Sequence, residues 1–225
     1  MLVRTRVVGA GRRVRAWVVN RIVVVFLVAG AALPGAGAAE DLKLSEFLAS
    51  PARDWNGDGA TDARADEWVE VVNTGGAPLD LADYRIADND STIRIALSGT
   101  LLPGAYALVT GQQALDWQRA QGRTATGLSL NNAGDTVRLF RVTGADTVQI
   151  DSKTYNSIEG GSDRSAGRLD PLVDSSWALF DALNPYTGSG EPHGTGCTPT
   201  PGVRNECTTG VKVGTTWGRI KAMYR

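Results

Sequence analysis

The chain has 225 residues, 42% of them hydrophobic and 21% charged, with a formal net charge of −1. That size and balance suit one globular domain plus a processed or anchored end. The basic residues are scattered, which argues against the clustered Lys and Arg that hold a nucleic-acid backbone. Helical periodicity is scarce, and 27 glycines together with Asp, Asn and Pro divide short apolar runs, so an all-β fold is predicted.

Taken in chain order, the first element is a leader. Arg4, Arg6, Arg12, Arg13, Arg15 and Arg21 precede an apolar run from Ile22 to Ala32, and Ala36-Gly37-Ala38 offers a small-residue cleavage site. The pattern predicts a secretory signal peptide over 1–38. The apolar run falls short of the ~20 residues of a membrane span, and Pro34-Gly35 follows it; an uncleaved anchor is the competing reading, and the only one that places the chain at a membrane. Cleavage would remove six Arg and no acid from totals of 23 Lys+Arg and 24 Asp+Glu, leaving an acidic exported domain.

The domain itself is set at 39–210. "LKLSEFLA" (42–49) and "EWVEVVN" (67–73) read as the first two strands, separated by the acidic loop "DWNGDGATDARAD". Trp68 and Val72 fall on one face of the second strand with Val69 and Val71 on the other, which predicts burial on both sides. Glu70, among these apolar neighbours, is expected to be satisfied by backbone N–H groups or an arginine rather than to act on a ligand. "APLDLADYRIAD" (77–88) and "TIRIAL" (92–97) bracket a turn at Asn89-Asp90-Ser91, with a bulge or bend near Ala82-Asp83. "AYALVT" (105–110) precedes the one credible helix, "QQALDWQRA". "DTVRLFRV" (135–142) and "DTVQIDSKTY" (146–155) form a predicted hairpin, and "SSWALFDA" (175–182) a last strand. Seven to nine short strands at this spacing suit a β-sandwich.

The acidic loop carries the clearest candidate chemistry. Asp54, Asn56, Asp58 and Asp62 occupy positions 1, 3, 5 and 9 of an EF-hand-like loop with Gly59 at position 6, and Asp66 is among the nearest later acids; hard oxygen donors at this spacing predict a structural calcium ion. The pattern departs at position 12, which is Ala65 where a bidentate Glu belongs. Asp, Asn and Gly are also what tight turns use, so a metal-free turn is the competing reading.

Near the end, Cys197 and Cys207 bracket "TPTPGVRNE", and such a pair in an exported chain is most simply a disulfide. Beyond it, 211–225 forms a separate tail. Trp217, Ile220, Met223 and Tyr224 recur at i, i+3, i+6 and i+7, so one helical turn would align them, either against this chain's own sandwich or against a partner.

The motifs "LSEFLASP", "DEWVEVVNTGGAPLDLADYRIAD", "LLPGAYALVT", "LNNAGDTVRLF", "DRSAGR" and "TPTPGVRN" occur in order across 42–205. In that order the chain resembles the lamin tail domain family, in its exported bacterial form. The resemblance implies an immunoglobulin-like β-sandwich that serves as a binding or scaffold module. The coiled-coil rod of the nuclear lamins is absent, so filament formation is not implied.

An enzyme is poorly supported. The single histidine, His193, lies in the loop "GSGEPHGTG", and no G-x-S-x-G, Walker loop or H-E-x-x-H occurs. Three classes follow in order: an extracellular or envelope binding and scaffold module that takes a protein or cell-surface polymer as partner; a calcium-dependent adhesion or carbohydrate-binding accessory domain; and a carboxylate-dependent hydrolase of unrecognised type.

Overall fold

A computed structural model describes residues 41–171 and 176–207. The strands are β1 (Leu42–Leu48), β2 (Trp68–Asn73), β3 (Leu79–Asp80), β4 (Tyr84–Ala87), β5 (Ile93–Ala96), β6 (Thr100–Leu101) and β7 (Tyr106–Thr110), followed after the helix by β8 (Gly134–Thr143), β9 (Asp146–Asn156), β10 (Ser165–Arg168) and β11 (Trp177–Phe180). They build a five-stranded sheet, ordered β11-β10-β1-β2-β7, and a four-stranded sheet, ordered β5-β4-β8-β9, with β3 and β6 as a short ribbon. The named strands pair antiparallel throughout. This is the all-β, immunoglobulin-like sandwich that the sequence predicts.

The core is filled by alternate residues of facing strands, Leu44 and Phe47 from β1, Val69 and Val71 from β2, Ile86 from β4, and Val137 and Leu139 from β8. Strict alternation from Leu42 would carry Glu46 into that core. A bulge between Leu44 and Glu46 shifts the register, so Phe47 pairs with Val69 while Glu46 pairs with Glu70 on the opposite face. Phe47 meets Tyr155 of the second sheet with ring centroids 4.6 Å apart. Polar ties reinforce the packing: Leu44 N donates to Asp151 Oδ2 at 2.9 Å, and Arg168 Nη2 donates to both Asp151 oxygens at 2.8 Å.

The predicted bend near Ala82-Asp83 is a 3-10 turn over Leu81–Asp83, capped by Asp80, whose side chain accepts from Ala82 N. Helix α1 (Gly111–Ala120) begins on a capping box: Gln113 N donates to Thr110 Oγ1 and Thr110 N donates to Gln113 Oε1. Gln118, buried in the last turn, ties the helix to 126–127 by accepting from Thr126 N and donating to Gly127 O.

The "DRSAGR" motif is structural in each of its polar members. Asp163 accepts from Ala52 N, Arg53 Nε and Trp55 Nε1, pinning the start of the acidic loop. Arg164 donates to Asn184 O, and Ser165 bonds Glu46. Arg168 donates to Leu44 O as well as to Asp151.

Candidate functional site

The acidic loop is a chain of turns closed on its own amides. Asp54 Oδ1 accepts from Gly57 N at 2.6 Å and Asp58 N at 3.1 Å, and its Oδ2 accepts from Gly59 N at 2.8 Å. Asn56 Oδ1 also accepts from Asp58 N, and Asp58 Oδ1 from Ala60 N. Asp62 Oδ1 accepts from Arg64 N and Ala65 N, and these bonds hold its carboxyl below the usual range. Asp66, buried, is the staple: it accepts from Trp55 N and Asn56 N on Oδ1 and from Asp62 N on Oδ2. The left-handed backbone at Gly57 and Gly59 explains glycine at both positions. The five residues predicted as metal ligands thus share one loop, with most of their oxygens engaged by backbone N–H. Among the described residues no group of three or more His, Cys, Asp or Glu converges closely enough to hold a metal ion.

Above the outer face of the five-stranded sheet runs a strap closed by the disulfide between Cys197 and Cys207, with Cα atoms 5.3 Å apart. It seals the two carboxylates that the β1 bulge turns outward. Thr200 donates to Glu46 through its amide, at 3.2 Å to each oxygen, and through Oγ1 at 2.7 Å. Gly202 N donates to Glu70 Oε2 at 2.6 Å, a backbone partner of the predicted kind, while the buried Oε1 has no partner, so the carboxyl is satisfied on one oxygen only. Asn205 donates to Ser45 O and Arg168 O, in the space left by Gly167, where a Cβ would lie 2.8 Å from Asn205 Nδ2. Burial pushes Glu46 up to about 7 and Glu70 up to about 8.

A third feature has no counterpart in the sequence reading. A cavity of about 580 Å³ opens where the segment before β2, the β4–β5 turn and residues 126–135 meet, walled by Glu67, Asp88, Asp90 and Asp135 with Arg64 and Arg94. Arg94 Nε donates to Asp88 Oδ2 at 2.9 Å, and its Nη2 reaches both Asp88 and Asp90. Glu67 is 4% exposed; backbone N–H groups of Ser129 and Leu130 bond its carboxylate, yet Oε2 has no partner. Asp88 Oδ1 and the neighbouring Tyr155 hydroxyl also accept no hydrogen bond. Burial pushes Glu67 up to about 8 and Asp88 up to about 6. Asp90, exposed and hydrogen-bonded by Asp88, lies below the ordinary range. These residues escaped the sequence reading because each is an unremarkable turn or strand-end residue; the topology alone assembles them.

His193 sits exposed beside Glu191, its Nε2 3.0 Å from Oε1. The predicted leader, and the tail residues Trp217, Ile220, Met223 and Tyr224, lie outside the described residues.

The two antiparallel sheets and their shared core define an immunoglobulin-like all-β domain. Comparison with known families agrees: the sequence model of the lamin tail domain matches residues 36–157, more than half the chain. The chain belongs to the lamin tail domain family, a family of non-enzymatic immunoglobulin-like domains that generally mediate protein interactions. The match ends shortly after β9, so "DRSAGR" and "TPTPGVRN" lie beyond it. No curated protein matches the chain.

Proposed function

We propose that this chain is a non-catalytic binding or scaffold module that works outside the cytoplasm, at the cell envelope or beyond it. The observation that carries the reading is the Cys197–Cys207 disulfide, because the strap it closes covers the Glu46–Glu70 pair and is integral to the fold. Structural disulfides persist in oxidising compartments. The arginine-rich, apolar leader with its Ala36-Gly37-Ala38 site supports the same route. Glu46 and Glu70 are the nearest thing to a catalytic carboxylate pair, and the strap closes them from any substrate. Expression of the full chain with fractionation tests the reading: an envelope or extracellular product beginning near Ala39, disulfide-bonded and silent in a hydrolysis screen, supports it. A cytoplasmic product with reduced thiols overturns it.

A calcium-ordered loop is the second reading. It is favoured by the convergence of Asp54 Oδ1 and Asn56 Oδ1 on one amide, Asp58 N. Asp54 Oδ1 already accepts two N–H groups, but Asp54 Oδ2, Asn56 Oδ1 and Asp58 Oδ1 each accept one and retain a lone pair, so the turn geometry and a metal are compatible. Calcium is then expected to raise the melting temperature of the full chain, and Asp58→Ala to abolish the rise. Identical melting with calcium and with chelator reduces the loop to a set of turns.

A further inference from the structure

We propose that the cavity beside Glu67 and Asp88 receives the ammonium group of a lysine side chain presented by a partner protein. The inference rests on the binding-module reading and supplies the chemistry of its ligand. The walls carry four carboxylates, Glu67, Asp88, Asp90 and Asp135, against two guanidiniums, Arg64 and Arg94. Arg94 is already engaged with Asp88, Asp90 and Thr126. Two buried acceptors beside it nevertheless stand without a donor. Glu67 Oε2 and Asp88 Oδ1, in residues only 4% and 5% exposed, accept nothing from the protein, and a buried acceptor without a donor is costly.

Candidate occupants differ in what they bring. An anion meets a surplus of carboxylates. A polyol brings donors but no charge to offset the buried acids. A divalent cation needs several convergent carboxylates, and the described residues provide no group of three or more suited to a metal. An alkylammonium brings three donors, one positive charge and no acceptor, on a slender stem that a cavity of about 580 Å³ accommodates. The exposed Asp90 at the mouth attracts a cationic segment.

Binding must also respond to pH. Glu67, raised to about 8, and Asp88, raised to about 6, are ionised by a cation, so uptake of the ammonium releases protons. The other charged groups on the walls are Arg64, Arg94, Asp90 and Asp135; hydrogen bonding holds Asp90 below the ordinary carboxylate range, and burial holds the nearby Tyr155 above the ordinary phenol range. Affinity is therefore expected to strengthen about tenfold from pH 6 to pH 7, one proton being released from Glu67.

The test is an NMR titration of the full chain with the peptide acetyl-Gly-Gly-Lys-Gly-Gly-amide. Controls are the norleucine peptide, n-butylammonium chloride and calcium chloride. The expected result is a saturable shift of the Asp88, Ser129 and Leu130 amides with the lysine peptide and with butylammonium but not with norleucine, lost in Glu67→Gln while the melting temperature is held or raised. Equal shifts with norleucine, or shifts with calcium alone, overturn the ammonium assignment. Butylammonium binding without peptide binding overturns the protein source. If the peptide moves resonances elsewhere but not here, the binding-module reading stands and this pocket is not its site. No shift from any probe also refutes the assignment.

Discussion

Glu46 and Glu70 are cross-strand partners on β1 and β2, side by side on the outer face of the sheet and both hydrogen-bonded by the 200–202 strap. Two buried acids in register favour the protonated state. Their carboxyls titrate near 4.5 when unfolded but about 7 and about 8 when folded. Below pH 4.5 neither state is charged; above it the unfolded chain ionises first while the folded chain keeps its protons. Stability therefore falls as pH rises from about 5 to about 8 and levels above the folded values. Glu67, also raised to about 8, adds to the same slope. Melting temperature is expected to be highest near pH 5, and Glu70→Gln to flatten the decline. A melting temperature that climbs from pH 5 to pH 8 would contradict the arrangement.

How much of this was legible in the sequence depended on whether a signal was local. The long strands announce themselves by apolar alternation, as in 68–72, and α1 by its short amphipathic run and capping residues. Strand β10 reads "SAGR", with no alternation, because Ala166 must pack beside Phe47 and Gly167 must leave room for Asn205; its residues are chosen by their neighbours. The two-residue β6 is too short to carry a period. The bulge that turns Glu46 away from the core leaves no mark in composition. The acidic loop was legible as a loop because Asx turns and calcium loops draw on the same residues, and that shared chemistry is also why sequence alone could not choose between them. The Glu67 pocket was invisible because its walls come from separate segments joined only by the fold.

The disulfide predicts a cost and a site for it. Cys207→Ser opens a loop with a sequence separation of 10, which on the chain-entropy account lowers stability by about 3 kcal/mol. Thr200, Gly202 and Asn205 should then lose protection together, because all three lie in the strap. Hydrogen exchange of the Thr200 and Gly202 amides in the oxidised chain and the variant checks this; unchanged protection would mean that the carboxylates hold the strap without the bridge.

Gly111 fixes how α1 meets the segment before β2. Its N–H donates to Glu67 O and the next amide to Ala65 O, and a Cβ built on it would lie 1.7 Å from Arg64 O. A backbone carbonyl cannot swing aside as a side-chain tip can. Gly111→Ala should cost about 3 kcal/mol or more by overpacking, far beyond the small gain from better helix propensity at a first-turn position. Chemical denaturation checks the magnitude. A neutral or stabilising result would require that 64–67 relax outward, and the Glu67 wall of the pocket would move with it.

Asp66 gives the sharpest test of what orders the acidic loop. Its buried carboxylate is the acceptor for three amides, Trp55, Asn56 and Asp62, drawn from both ends of the loop. Asp66→Ala removes all three acceptors at once. Each bond to a charged group is worth about 1.5–3 kcal/mol when buried, but the donors lie near solvent and water replaces part of the loss, so about 2–4 kcal/mol in total is expected. Trp55, whose ring packs 5.9 Å from that of Trp68, should loosen at the same time. Its Nε1 bond to Asp163 holds that end of the loop independently. Near-ultraviolet circular dichroism of Asp66→Ala should therefore lose tryptophan signal while the far-ultraviolet spectrum of the sandwich persists. Calcium added to this variant separates two causes of order: restored tryptophan signal would place the ion on Asp54, Asn56, Asp58 and Asp62, whereas no recovery would leave the amide bonds to Asp66 as what holds the loop closed.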